Sequence, residues 1–99
     1  MLDLLILRTL LVDSLHGLAI AERIHRLSDE VLLVQQGSLY PALHRLQARG
    51  WIRAEWGTAD SGRRAKFYSL TRTGSKRLER EQANWERLSE LITLVLRRA

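Results

Sequence analysis

Three basic side chains, Arg63, Arg64 and Lys66, crowd into the stretch "DSGRRAKFYSL", in the most unevenly charged part of the chain. The first fifty residues are electrically balanced, with five basic and five acidic side chains. Residues 53 to 80 hold eight basic side chains against three acidic ones, so this segment alone accounts for the net charge of +5. A basic excess concentrated in one place suits a polyanion such as DNA, RNA or an anionic membrane surface. Plain solubilising charge is the competing explanation.

A second set of candidates lies in "QQGSLYPALHRLQARG", residues 35 to 50. Leu39, Leu43 and Leu46 recur at helical spacing, and Gly50 supplies a stop. Gly37, Pro41, His44 and Ala48 fall on the opposite face, flanked by Tyr40 and Arg45. An arginine there has the fork geometry to read guanine, whereas a histidine's choice is less predictable. Gln36 and Ser38 stand where the first turn meets a ligand, and the backbone amides beside a capping serine suit a phosphate. Pro41 needs explaining, because an interior proline removes a donor and costs about 3 kcal/mol. If Ser38 is the N-cap, Pro41 is the third helical residue and loses no hydrogen bond. If the helix starts near Gln36, the proline bends the first turn and frees the Gly37 carbonyl. Either way it lies near the N-terminal end.

Other chemistry has little support. No cysteine is present, and His16, His25 and His44 lack the clustered partners of a zinc site, so no metal or other cofactor is expected. Neither a nucleophile beside a base nor a glycine-rich phosphate loop occurs, which argues against an enzyme. The opening "MLDLLILRTLLV" is interrupted by Asp3 and Arg8 and falls short of the roughly 20 apolar residues of a membrane span. It reads as a buried helix of a cytoplasmic protein.

These groups must be positioned by a single small core, since 99 residues make one domain. Residues 2 to 13 are apolar nearly all round, which predicts burial on two sides, the second against another subunit. Residues 17 to 27 place Ile20, Ile24 and Leu27 on one helical face after the break "DSLHG". "VLLV" at 31 to 34 is a short β-capable run. From residue 51 to 70 the period changes to two around the turn residues "GTADSG", predicting a hairpin whose return strand is basic. Trp51 and Trp56 are expected to pack from this hairpin onto the helices. Thr71 is a plausible N-cap for a last helix that runs to about Leu96. Its Leu78, Trp85 and Ile92, with Leu88 and Val95, form a heptad seam of the kind that faces a partner helix. The fold class is therefore mainly α with a small β-hairpin. Helix, helix, helix and basic hairpin is the order of a winged helix-turn-helix over residues 1–70, followed by a C-terminal dimerisation helix over 71–99 in one continuous fold.

The segments "QGSLYPALHRLQARGWI" and "GRRAKFYSLTRTG", with "LHGLAIAERI", resemble the PadR family of bacterial transcriptional regulators, in its short branch with one C-terminal helix. The hallmark G-[ST]-L-Y-P-x-L-x-R-L is met, and the wing motif R-[RK]-x-[YF]-Y-x-L-T-x-x-G is followed from Phe67 to Gly74, with one residue more between the paired arginines and the aromatic pair. One departure is Leu18, where relatives carry tyrosine after H-G. The resemblance implies a homodimeric repressor of double-stranded DNA with a pseudo-palindromic operator, often relieved by a small molecule. Gln36, Ser38, Tyr40, Pro41, His44 and Arg45 are then candidate groove contacts, and Arg63, Arg64 and Lys66 wing contacts to phosphate or minor groove. Tyr40 as a core aromatic, and His44 and Arg45 as a solvated face, are the alternatives. A winged-helix module that binds protein instead of DNA is the alternative for the whole chain. Leu4, Leu7 and Leu11 of the first helix join Leu78, Trp85, Leu88, Ile92 and Val95 as candidate dimer contacts. Trp85 has two readings: dimer core by its heptad position, or, as the resemblance implies, one wall of a site for a planar aromatic effector. His16 reads as a cap or packing residue.

Overall fold

The computed structural model describes residues 1–99 and contains four helices and a three-stranded sheet. In chain order these are α1 (Leu2–Thr9), β1 (Leu15–His16), α2 (Gly17–Leu27), α3 (Gln36–Ala48), β2 (Ile52–Thr58), β3 (Arg64–Leu70) and α4 (Arg72–Arg98). The three short helices pack around Ile6, Leu7, Leu10, Ile20, Ile24, Leu39, Leu43 and Leu46. Ile52, Tyr68 and Leu78 close that core from the sheet and from the start of α4. No helix is long and apolar enough to cross a membrane.

The first helix is shorter than its apolar run predicts. It ends at Thr9, whose hydroxyl donates back to the Ile6 carbonyl at 2.8 Å, and the next amides fold into tight turns. The chain must bend there because Leu15 and His16 form an edge strand on β3, with Leu15 opposite Tyr68 and His16 opposite Phe67. That strand was not anticipated. The expected strand at 31–34 is absent: Val31, Leu32 and Leu33 lie exposed in a loop with no strand beside them. That loop is held instead by Ser28, whose Oγ accepts from the Leu32 amide at 2.9 Å.

Helix ends follow local chemistry. His16 caps α2, its Nδ1 accepting from the Ala19 amide at 3.3 Å, so the ring proton sits on Nε2. The third helix closes on Gly50 with φ of 77°, the Gly50 amide donating to Gln47 and the Trp51 amide to Leu46. This reciprocal pair is the left-handed glycine stop anticipated from sequence. Thr71 caps α4, accepting from the Gly74 amide at 3.0 Å and donating to the Gly50 carbonyl at 2.6 Å. One threonine thus ties the end of α3 to the start of α4. Gly74 lies so close to the Trp51 carbonyl that a Cβ on it would sit 1.8 Å from that oxygen.

Beyond Leu78, α4 buries no further residue, although Trp85 and Leu88 still border α1. Trp85, Leu88, Leu91, Ile92, Leu94, Val95 and Leu96 are all more than 40% exposed there. These residues spread over a wider arc than a single a/d stripe.

Candidate nucleic-acid interface

The third helix begins at Gln36, so Ser38 lies within its first turn and does not cap it. Gln35 is the N-cap residue and makes no side-chain cap; its carbonyl accepts from the Ser38 amide at 3.0 Å, which leaves the Gln36 and Gly37 amides as the ones without intrahelical acceptors. Pro41 is then the sixth helical residue, and the Gly37 carbonyl loses the amide that would have bonded it. Of the two starts open in the sequence, this is the one in which the proline has a consequence. Gln36, Gly37, Ser38, Pro41, His44 and Ala48 all lie exposed, and Gly37 has open space where a side chain would be. Leu39, Ala42, Leu43 and Leu46 are buried on the opposite side.

The two flanks of that exposed face are engaged. Arg45 turns toward α1 and pairs with Asp3 at 2.6 Å, so its guanidinium is directed sideways and not straight outward. Tyr40 turns the other way and lies against Gly17, where a Cβ would come within 2.9 Å of its ring. Gly17 therefore makes room for the tyrosine of α3. Tyr40 remains 45% exposed, an edge position between core and solvent.

The hairpin brings a second set of groups to the same place. Its strands pair from Ile52 opposite Leu70 to Thr58 opposite Arg64. Arg63 ends the connecting turn, its carbonyl accepting from the Ala59 amide at 2.8 Å. A cleft of about 520 Å³ runs between this wing and the helices. Tyr40, Arg63, Arg64, Lys66, Tyr68, Trp56, His16 and Leu18 all border it. Tyr40 of α3 thus meets the three wing cations across one groove. Gln36, Ser38, Pro41, His44 and Arg45 are not among its lining residues and sit on the adjoining helix face.

Tyr68 forms part of the cleft floor. Its burial, and secondarily the Tyr40 hydroxyl nearby, push its phenol above the usual value. Tyr68 hence offers a neutral hydroxyl able to donate to a phosphate oxygen. None of the three wing cations has an acidic side-chain partner within ion-pair distance. Unpaired cations beside a neutral donor favour an anionic strand.

Trp56 was missed as a site residue. It continues the inward row of Ile52 and Ala54, but the sheet overhangs the core there and leaves the indole 59% exposed. The expectation that both hairpin tryptophans pack on helices holds only in part. Trp51 is half-buried beneath Arg77, 4.8 Å from its ring, whereas Trp56 faces the cleft. The signal was present in the alternation, which carries one residue further than the core extends.

Among the candidate dimer residues, Leu7 and Leu78 require correction. They are 0% and 3% exposed within the chain's own core, because α1 and the first turns of α4 pack on each other. Neither has surface left for a second chain. Leu4 is partly open, and Leu11, Trp85, Leu88, Ile92 and Val95 are exposed. Met1, Leu4, Glu81, Asn84, Trp85 and Leu88 border a shallow hollow of about 220 Å³. Trp85 thus stands where α1 meets α4.

Solved structures share this arrangement. A transcriptional regulator from Clostridium thermocellum is 27% identical and superposes with a TM-score of 0.83, covering 92% of this chain and 88% of its own. A PadR family transcriptional regulator from Eggerthella lenta is 26% identical with a TM-score of 0.83, covering 99% and 83%. A PadR family transcription regulator from Clostridium difficile is 25% identical with a TM-score of 0.81, covering 95% and 96%. Residues 6–80, from the middle of α1 through the wing to the first turns of α4, match the transcriptional regulator PadR-like family, and the chain belongs to that family.

Proposed function

We propose that this chain is a homodimeric, sequence-specific DNA-binding repressor acting in the cytoplasm. Residues 1–70 form its DNA-binding unit and 71–99 its dimerisation helix. The observation that carries the reading is the cleft in which Tyr40 of α3 faces Arg63, Arg64 and Lys66 of the wing. Exposed α3 side chains, Gln36, Ser38, Pro41 and His44, would enter the major groove while the wing tracks the phosphates. Arg45 would join them on leaving Asp3. As a transcriptional regulator the protein is not an enzyme.

A dimer is supported by the apolar arc of α4, which a lone chain would leave in water. Leu4, Leu11, Trp85, Leu88, Ile92 and Val95 are its proposed contacts. A planar aromatic compound is the proposed effector, placed between the two Trp85 rings. Such a ligand loosens DNA binding only by favouring a dimer geometry with wrongly spaced recognition helices.

Selection of bound sequences from random duplex DNA tests the core of this proposal. The expected result is an imperfect palindrome with half-sites about one helical turn apart. Absence of any enriched sequence would refute specific DNA binding, and a site without two-fold symmetry would refute the dimeric mode.

A further inference from the structure

Trp56 is the largest exposed side chain on the wing, and it is not bare. The Arg64 guanidinium lies 5.4 Å from its ring centre and the Lys66 ammonium 5.7 Å. Strand register explains the grouping: Lys66 is directly opposite Trp56, and Arg64 is two residues along β3 on the same face. All three side chains border the cleft that also holds Tyr40. Two like charges on one small surface repel each other. The negative face of an indole offsets that repulsion and restricts where each head group sits.

We propose that Trp56 is a DNA-contact and positioning residue of the wing. Its ring holds Arg64 and Lys66 as a preformed phosphate clamp and itself packs against the deoxyribose between the phosphates they engage. The inference rests on the DNA-binding reading above. Its chemistry follows from the backbone of the duplex, in which an apolar sugar edge alternates with anionic groups. A wing presenting an apolar ring with two attached cations complements that alternation. Bare cations on flexible stems would lose more side-chain freedom on binding. An exposed indole that served only the hairpin would have no need of a position inside the cleft.

The test uses mixed-sequence duplex DNA at low salt, where the electrostatic part of binding does not depend on sequence. Trp56→Ala should weaken binding roughly tenfold, the scale of losing two exposed cation–π contacts and one apolar contact. The salt dependence should keep its wild-type slope, because no cation has been removed. Trp56→Phe, which keeps an aromatic face, should recover most of the loss. A merely structural role would instead appear as a lowered unfolding midpoint in Trp56→Ala with native affinity once folded. Quenching of tryptophan fluorescence by the duplex in the wild type, reduced in Trp56→Phe, would locate the contact directly. If the wild type binds duplex DNA and Trp56→Ala binds it equally well, this inference falls while the DNA-binding reading stands. If the wild type binds no duplex at any salt concentration, both fall.

Discussion

Gly17→Ala isolates the contact that joins the start of α2 to α3. An added Cβ would lie 2.9 Å from both Cε1 and the hydroxyl oxygen of Tyr40, and 3.1 Å from Cζ. Comfortable carbon contacts begin near 3.5 Å, so the ring must retreat by about 0.6 Å or swing away. The backbone raises no objection, since Gly17 is not among the glycines with positive φ. Two opposing terms then decide the outcome. Alanine in a helix gains about 0.5–1 kcal/mol over glycine, less at a first helical position, while overpacking costs about 1–3 kcal/mol. Tyr40 is half exposed and can yield into the cleft, so the cost falls at the low end of that range. Net stability should therefore drop by no more than about 1 kcal/mol. DNA affinity should fall further than stability does, because the displaced ring occupies the cleft proposed to take a strand. In a Tyr40→Ala background the same substitution should become neutral or stabilising. Urea unfolding of the two single variants and the double variant measures this coupling, expected at about 1–2 kcal/mol. Additivity within about 0.5 kcal/mol would refute the packing argument and leave the glycine without this explanation.

Gly74→Ala should be far more damaging, because its Cβ would sit 1.8 Å from a backbone oxygen that cannot swing aside. A loss of about 3 kcal/mol or more in urea unfolding is expected. Asp3→Asn should leave stability within about 1 kcal/mol, since the pair with Arg45 is partly exposed. The same change should tighten binding to mixed-sequence DNA a few-fold by freeing Arg45 for the duplex, which filter binding at low salt would register. Tyr68, whose phenol is raised chiefly by burial, holds its proton more firmly folded than unfolded. Its contribution is present below the ordinary phenol value of about 10 and is lost as pH rises through the higher folded value, so Tyr68→Phe should flatten the alkaline fall in melting temperature. Leu88→Glu places a charge in the exposed arc of α4 and should shift sedimentation from dimer to monomer with the fold intact.

The features legible in the sequence are those whose causes lie within a few residues. The bounds of α2, the Gly50 stop, the Thr71 cap and the hairpin each depend on a local exchange of hydrogen bonds, and each occurs where the residue types place it. What escaped depends on residues far apart in the chain. "VLLV" has strand-like composition, but β-propensity acts only through a partner, and β3 already has β1 and β2 on its two edges. Leu15 and His16 look like a break, yet pairing with Tyr68 and Phe67 makes them a strand. Leu7 fits a dimer by the excess apolar surface of its helix and Leu78 by its heptad period, and their burial in the chain's own core withdraws both from it. The same reasoning accounts for the candidate site. The cations of the wing announce themselves by charge, whereas the direction of Arg45 depends on an aspartate 42 residues away. Tyr40 is visible as an edge residue of a helix, but its place in the cleft follows from a glycine at the start of a different helix. The spacing of short motifs in this chain is thus the trace of tertiary contacts: Gly17 answers to Tyr40, and Gly74 answers to Trp51. A substitution at either member of such a pair should be judged by what it does to the other.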